Sequence, residues 1–355
     1  IKTTISDDSV EKIFPEPDYK LIEFEKYLRN VLRLESVACK DWLTNKVDRS
    51  VTGRVALQQN DGTIQLPLNN LGVCAIDFTG TSGIATSLGH APVAGLISPA
   101  AGSVLSVAEA LTNIVWAPLT HGLKGVSLSA NWMWPSDQPG EGVRLYNAVK
   151  ALSDFAIALG IPVPTGKDSL FMTQKYPDGQ KVAAPGTVIV SAVAEVSDVK
   201  KIVRPTLKSD YYSTLLYVRF DDSPFALGGS AFYQTLNAVG NTAPNVSNPR
   251  HFVKAFNAIQ QFINEDLILS GHDISDGGLM TTLLEMCFAN PEVGLDISLS
   301  NFNELDIVKI LFNQNPGVVI QVNDPKKVID ELIFRNIEFY VIGRVIPERV
   351  LKVIK

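Results

Sequence analysis

The chain has 355 residues, of which 46% are hydrophobic and 19% are charged, so it is long and apolar enough for two folded domains. The formal net charge is −6 and no run is rich in Lys or Arg, which disfavours nucleic acid and acidic membrane surfaces as partners. No apolar run approaches the ~20 residues that a membrane-spanning helix needs.

The three cysteines, Cys39, Cys74 and Cys287, are far apart in the sequence and form no CxxC pair. This spacing favours reduced thiols in a cytoplasmic protein over a zinc site. The chain begins at Ile1 without a Met or a signal-peptide pattern, and we therefore expect a fragment of a longer polypeptide.

Residues 1–45 are predicted to form a connecting segment with one amphipathic helix over residues 19–34. Residues 46–200 are predicted to form a first domain, rich in strands but with two long helices. The predicted strands cover residues 54–57, 63–68, 72–78, 125–132 and 187–196, and the predicted helices cover residues 103–116 and 142–159. Runs of strands broken by single helices fit an α+β or α/β domain better than a helical bundle.

The polar, basic stretch 197–210 is the predicted boundary to a second domain, residues 201–355. Predicted strands there cover residues 213–220, 267–269, 295–299, 317–322 and 339–345. Predicted helices cover residues 252–263, 279–288, 303–312 and 325–334, the last with a proline in its first turn.

The run GHDISDGGL at residues 271–279 joins a predicted strand to a predicted helix. Two carboxylates, a hydroxyl and two glycines at such a junction could hold phosphate and a divalent cation, because helix N–H groups face an anion and carboxylates face a metal. The alternative is an ordinary turn followed by a helix that Ser275 or Asp276 caps. Local sequence alone leaves both readings open.

Glu109 and Asn113 are four residues apart on a predicted helix, so their oxygen atoms project from one face. A carboxylate and an amide at this spacing suit Mg²⁺, which takes few protein ligands and keeps phosphate oxygens and water. The alternative is an exposed polar pair, but the apolar residues on both sides favour burial with partners.

Two further stretches are weaker candidates. Lys167 in the run PTGKDS is suited to phosphate and lies beside Asp168, although the run lacks the upstream glycine of a P-loop and is also typical of a solvated turn. The run GTSG at residues 80–83, with Gly89 and His90, is interpreted as a small-residue loop that could approach a ligand.

Eight motifs together match one family in the same order. They are DRSVTG at 48–53, QLP at 65–67, EALTN at 109–113, LSANWM at 128–133, PGE at 139–141 with LY at 145–146, GKDS at 166–169, ALGG at 226–229 and HDISDGG at 272–278. From about residue 46 to the C-terminus, the chain therefore resembles the second synthetase half of the phosphoribosylformylglycinamidine synthases (formylglycinamide ribonucleotide amidotransferases).

The resemblance implies a two-domain module like that of aminoimidazole ribonucleotide synthetase, with an N-terminal half-barrel sheet carrying helices and a C-terminal α/β sandwich. Members of the family convert formylglycinamide ribonucleotide, ATP and glutamine into the amidine, ADP, phosphate and glutamate. The implied partners are a first synthetase half and a glutaminase domain of the same polypeptide, neither of which is recognisable in this sequence.

The resemblance also implies a ligand set. Glu109, Asn113 and Asp273 fall on Mg²⁺ positions, and Ser275 falls on a nucleotide contact. The fourth metal position, a carboxylate in the family, aligns with Asn70, which would remove one negative charge. Three further residues are expected to contact ATP, ADP or the sugar-phosphate substrate, namely Asn69, Lys167 and Asp168.

In the family this half holds a tightly bound nucleotide without turnover, so we expect the isolated chain to be inactive. Two alternatives are a nucleotide-binding scaffold without chemistry of its own and a free-standing kinase or synthetase of the superfamily. We also expect an apolar sheet edge, left without its natural partner, to form a homodimer.

Overall fold

The computed structural model of the protein describes residues 13–47, 49 and 53–355. Asp48, Ser50, Val51 and Thr52, which belong to the first family motif, lie outside the described residues. None of the helices in the described ranges has the length and hydropathy required to cross a bilayer.

The elements up to residue 196 include a six-stranded sheet and two separate two-stranded sheets. In chain order they are α1 (Phe24–Arg33), α2 (Asp41–Thr44), β1 (Val55–Leu57), β2 (Asn60–Asp61), β3 (Leu66–Pro67), β4 (Gly72–Ala75), β5 (Gly83–His90), α3 (Pro92–Ile97), α4 (Pro99–Ile114), β6 (Ser127–Met133), α5 (Glu141–Leu159), β7 (Thr165–Ser169), β8 (Thr173–Lys175), β9 (Lys181–Ala183) and β10 (Thr187–Val196). The two-stranded sheets are β2–β3 and β8–β9.

The elements after residue 200 form a second sheet. They are β11 (Thr214–Arg219), α6 (Ala231–Thr235), α7 (Pro249–Asn264), β12 (Ile268–Asp273), α8 (Gly278–Phe288), β13 (Gly294–Ser298), α9 (Ile307–Phe312), β14 (Gly317–Val322), α10 (Pro325–Phe334), β15 (Phe339–Ile346) and β16 (Leu351–Ile354).

The first sheet has the strand order β1-β4-β5-β10-β6-β7, and all of its pairs are antiparallel except β6–β7. Side chains of β5 alternate strictly between buried and exposed, because α4 covers one face of the sheet and leaves the other open. The open face exposes the apolar side chains of Ile84, Leu88 and Val193. These side chains lie on a sheet face, whereas the sequence predicted an exposed apolar sheet edge. Of the two edge strands, β7 is mostly polar and β1 is apolar and partly buried.

The second sheet has the order β12-β14-β11-β15-β13-β16, in which β13–β16 is the parallel pair. β14 is buried along its whole length, as expected of a strand covered on both faces. Helix α1 packs into the core of this part through Tyr27 and Val31, and the ring of Tyr27 meets that of Phe232. Helix α1 of the predicted connecting segment is thus docked on the second sheet. The domain boundaries 1–45, 46–200 and 201–355 stay a prediction.

One hydrophobic core joins the two parts, since residues of α4, β10, α7 and β14 belong to the same buried cluster. The buried side chain of Gln260 on α7 fastens the end of α4, where it donates to the carbonyls of Val115 and Ala117 and accepts from the Leu119 N–H. Gly271 of β12 lies so close to Trp116 that a Cβ there would come within 2.1 Å of the indole ring.

One local prediction was wrong, because Gly89 and His90, interpreted as part of a loop, end the central strand β5. The GKDS run lies on β7, so the solvated turn that was one of its two readings is not formed. The small residues of β5 are required by packing, because a Cβ on Gly89 would lie 2.2 Å from the Ser106 carbonyl oxygen and 2.3 Å from the Ala110 nitrogen of α4. A pattern of small residues that suggests a loop is here a strand pressed against a helix.

Candidate functional site

Asp273 ends strand β12, and its carboxylate is 2% exposed. One oxygen, Oδ1, accepts hydrogen bonds from Asn70 Nδ2 at 3.0 Å and faces His272 Nδ1 at 3.0 Å. The other oxygen, Oδ2, is buried without a hydrogen-bond partner among the described residues. A buried carboxylate oxygen with no donor is costly, and this makes Oδ2 a candidate ligand atom for a cation.

His272 lies between two carboxylates, because its Nε2 is 3.1 Å from Glu285 Oε2 while Nδ1 faces Asp273. Burial lowers the pKa of His272, but the hydrogen bonds to Asp273 and Glu285 outweigh burial and raise it to about 10. The two carboxylates thus favour the protonated ring, which offsets part of the negative charge around Asp273. Sequence reasoning singled out the position of His272 but missed Glu285, which is 13 residues away.

Glu109 and Asn113 lie on α4, as predicted, and both side chains contact the end of β5. The Glu109 carboxylate accepts from the His90 N–H at 2.7 Å, and Asn113 Nδ2 donates to the Leu88 carbonyl at 3.0 Å. Burial raises the pKa of Glu109 well above its usual value; the His90 bond opposes this rise, and the charges of Asp273 and Asp276 add to it. A cation beside Glu109 would relieve both effects.

Asn69 and Asn70 follow the β2–β3 hairpin. Asn69 Nδ2 donates to the carbonyls of Gln58 (2.7 Å) and Asn60 (3.0 Å), which fixes the turn, and Asn69 Oδ1 is buried without a partner among the described residues. This clamp presents Asn70 to Asp273 across 203 positions of sequence. The contact joins the two domains that the sequence predicted.

Six of the predicted site residues line one cleft of about 1160 Å³ that runs along the open face of the first sheet to the end of β12: Asn69, Asn70, Glu109, Asn113, Asp273 and Ser275. Lys167 and Asp168 are not among its lining residues. They lie exposed on edge strand β7, where Lys167 Nζ contacts Ser169 Oγ at 2.9 Å, although Thr165 of the same strand reaches the cleft.

The turn into α8 explains the two glycines of the central motif. Gly277 is the N-cap residue with φ +92°, and Gly278 has φ +68°, conformations that favour glycine. The N-cap position is held by Gly277, which has no side chain, so neither Ser275 nor Asp276 is the cap residue of the alternative reading. Both side chains instead line a second, smaller cavity of about 190 Å³.

This smaller cavity lies between the two parts of the chain and shares Glu109 and Ser275 with the cleft. Gly228 and Gly229 of the ALGG motif form part of its wall, and so does Gln314. Motif residues that are distant in sequence therefore line both the cleft and the smaller cavity. Glu109 and Ser275 line both and lie where the two adjoin.

The side chains of the site are suited to binding a hard cation together with a phosphate group. Asp273 and Glu109 supply carboxylate oxygens, while Asn70 and Asn113 supply amides. Within the described ranges, no group of three or more His, Cys, Asp or Glu side chains could hold a metal alone. Two carboxylates with amide neighbours suit a Mg²⁺ ion whose remaining ligands are phosphate oxygens and water.

Comparison with known families defines the class of the module. The FGAR-AT PurM_N-like domain model matches residues 39–195, and the AIR synthase related protein, C-terminal domain, matches residues 224–355. The chain thus has the AIR synthase-related two-domain architecture that its sequence predicted.

Solved structures agree on the fold. The chain resembles T. maritima PurL complexed with FGAR, with a TM-score of 0.67 over 95% of this chain and 51% of that chain at 13% identity. It also resembles T. maritima PurL complexed with ATP, with a TM-score of 0.60 over 83% of this chain and 44% of that chain at 13% identity.

The particular family follows from sequence relatives. Phosphoribosylformylglycinamidine synthase of Dictyostelium discoideum is 42% identical over 333 residues, which are 90% of this chain and 24% of the relative. The Homo sapiens enzyme of the same name is 42% identical over 299 residues, which are 84% of this chain and 22% of the relative. The chain belongs to the phosphoribosylformylglycinamidine synthase family and spans about a quarter of the length of these curated relatives.

Proposed function

We propose that this chain is the second synthetase half of a phosphoribosylformylglycinamidine synthase and that its cleft binds ATP or ADP with Mg²⁺. The observation that carries the proposal is the meeting of Asn70 and Asp273 across the two domains, with Asp273 Oδ2 buried and unpartnered at the cleft. Relatives of this name and a PurL structure complexed with ATP support the choice of nucleotide.

The residues fit Mg²⁺. Asp273 and Glu109 are the proposed direct ligands, with Asn113 and Asn70 beside them, and nucleotide phosphates complete the set. The ion, when bound, neutralises phosphate charge. The Ser275 hydroxyl is proposed to donate to a phosphate oxygen, and its place in the lining of the cleft with Asp273 supports this role.

Asn70 and His272 both reduce the negative charge near Asp273. Asn70 is an amide at the position where the family resemblance implies a carboxylate, and the hydrogen bonds of His272 to Asp273 and Glu285 raise the pKa of its ring and favour the protonated form. A site with less negative charge attracts Mg²⁺ less strongly. We therefore propose that this half retains a nucleotide in a structural role and does not turn it over alone. The scaffold alternative is favoured by the same observation.

In the full polypeptide the module would act together with a first synthetase half and a glutaminase domain in converting formylglycinamide ribonucleotide to the amidine. The structure of PurL complexed with FGAR supports a sugar-phosphate substrate for this fold family. Lys167 and Asp168, exposed on β7, are proposed to contact that substrate or the nucleotide. A cytoplasmic location stays a prediction.

Calorimetric titration of the chain with ADP, with and without Mg²⁺, tests the proposal. We expect saturable binding that depends on Mg²⁺ and that weakens by about 10- to 100-fold in Asp273→Asn and Glu109→Gln. Asp77→Asn is the control, because Asp77 lies in an exposed turn where it accepts from Thr79 and Gly80 N–H groups. Equal binding by all four proteins would refute the ligand assignment.

A hydrolysis assay separates the structural role from catalysis. The chain is incubated with ATP, Mg²⁺, formylglycinamide ribonucleotide and ammonia, and phosphate release is followed. We expect no sustained turnover. Repeated turnover would show that this half is a catalytic site and would remove the scaffold alternative.

A further inference from the structure

Three consecutive amide side chains between α9 and β14 each hold a different part of the second domain. Asn313 Nδ2 donates to the carbonyls of Lys309 and Ile310 and so closes the end of α9. Asn315 Oδ1 accepts from the Ala226 N–H, and its Nδ2 donates to Asp221. The segment 313–315 is therefore built to fix the loops around it.

The middle side chain, Gln314, reaches two loops at once. With its amide oxygen turned toward the two donors, Gln314 Oε1 accepts from the Gly277 N–H at 2.9 Å and from the Ala231 N–H at 3.0 Å. Gly277 is the N-cap residue of α8 and follows Ser275 and Asp276, while Ala231 is the first residue of α6, one residue after the ALGG motif. Both donors belong to buried residues.

Both loops line the smaller cavity. Ser275 and Asp276 come from one loop and Gly228 and Gly229 from the other, and Gln314, which bonds to both loops, lines the cavity with them. Asn315 holds Ala226 and not the Ser275 loop, while the Ile274 N–H is held by the Gly317 carbonyl in the sheet. Gln314 Oε1 thus forms a direct hydrogen-bonded link from the Ser275 loop to the ALGG loop.

We propose that Gln314 is a positioning residue, whose amide oxygen sets the Ser275 loop against the ALGG loop and thereby sets nucleotide affinity at the adjoining cleft. The inference rests on the proposed function, because Ser275 is the residue that carries the effect to the nucleotide. Gln314 itself lines the smaller cavity and is absent from the lining of the cleft.

The chemistry of the side chain gives two informative variants. Gln314→Met keeps the length but removes the acceptor, so the Gly277 and Ala231 N–H groups lose their partner. Gln314→Glu keeps an acceptor oxygen, and a carboxylate is favourable at the start of a helix. A matched control is Gln234→Met, since Gln234 lines the same cavity but donates to the Gly229 carbonyl at 3.3 Å.

Two measurements on these three variants and the wild type test the proposal. Hydrogen–deuterium exchange is followed in peptides that cover residues 228–233 and 275–280, and Mg²⁺–ADP dissociation constants are measured by calorimetry. In Gln314→Met we expect faster exchange in both peptides and nucleotide affinity lowered about tenfold. Gln314→Glu is expected to restore both readouts to within about twofold of the wild type, and Gln234→Met to leave the 275–280 peptide unchanged.

Unchanged exchange in both peptides of Gln314→Met would overturn the proposal, as would an equal loss of affinity in Gln234→Met or in Gln314→Glu. Failure of the wild type to bind nucleotide would refute the proposed function instead. The exchange measurement would then still decide whether Gln314 holds the two loops together, although its effect on affinity would be refuted with the site.

Discussion

At the scale of single residues, the two oxygens of Asp273 have different surroundings. Oδ1 is held by Asn70 and His272, whereas Oδ2 has no partner among the described residues. The first oxygen fixes the orientation of the carboxylate and leaves the second free for the proposed metal. With this division of roles, one side chain could be rigid and still coordinate an ion.

Asn70→Asp tests the role of the missing carboxylate. Without metal, a carboxylate at position 70 would face Asp273 Oδ1 at hydrogen-bond distance, so like charges would repel and the melting temperature should fall. With Mg²⁺ the added charge should bind the ion more tightly, so the rise in melting temperature on adding Mg²⁺ should exceed that of the wild type. Differential scanning fluorimetry with and without Mg²⁺ measures both changes.

Asn69→Asp, next to it, is the control, since Asn69 is tied to the carbonyls of Gln58 and Asn60 and not to Asp273. If the melting temperature of Asn70→Asp did not change on adding Mg²⁺, the assignment of Asn70 to the metal site would be refuted.

Sequence reasoning reached some of these residues and not others for a physical reason. Glu109 and Asn113 could be paired because helical spacing alone puts them on one face. The contact of Asn70 with Asp273 spans 203 positions and depends on how two domains pack, so no local pattern contains it. The link of Glu285 to His272 likewise depends on how α8 packs beside β12, and only the family resemblance brought Asn70 forward.

At the scale of elements, the site depends on the close packing of β5 on α4. The end of β5 supplies the His90 N–H and the Leu88 carbonyl that orient Glu109 and Asn113. Gly89 between them allows the strand to touch the helix backbone. The buried side of β5 carries Gly, Ala and Ser, residues of weak strand propensity, so packing and not propensity decides its structure.

Gly89→Ala should disturb this packing. The added Cβ would meet backbone atoms of Ser106 and Ala110 at 2.2 and 2.3 Å, so the strand or the helix must move. We expect a loss of about 1–3 kcal/mol in the free energy of unfolding, measured by urea denaturation. Gly142→Ala on α5, where a Cβ would meet no atom within 4 Å, is the control and should not destabilise. Equal stability of the two variants would contradict the packing described.

At the scale of the whole molecule, the two sheets share one core, and Gln260 joins them at the end of α4. Gln260→Leu leaves the Val115 and Ala117 carbonyls and the Leu119 N–H without this partner. We expect the free energy of unfolding of this variant to fall by about 1–3 kcal/mol, and its melting temperature, measured by calorimetry, to fall with it. Gln174→Leu, on exposed strand β8, is the control and should melt like the wild type. A wild-type melting temperature for Gln260→Leu would contradict the role of this side chain.

The open face of the first sheet leads to a prediction about association. Ile84, Leu88 and Val193 are exposed there, and an exposed apolar face favours contact with another surface. We expect the isolated chain to dimerise at micromolar concentration in light scattering, and Val193→Lys to weaken the dimer. Ile157→Lys, on the exposed outer side of α5, should not affect it. A monomeric wild type would contradict the prediction.

The measurement that tests the central claim most directly is the position of a bound metal. Crystals of the chain grown with ADP and Mn²⁺ in place of Mg²⁺ would show the ion by its anomalous scattering. The account predicts a peak within coordination distance of Asp273 Oδ2, with Glu109 and a phosphate oxygen as further ligands. A bound nucleotide whose metal lies elsewhere, or a Mn²⁺ peak that persists in Asp273→Asn, would contradict it.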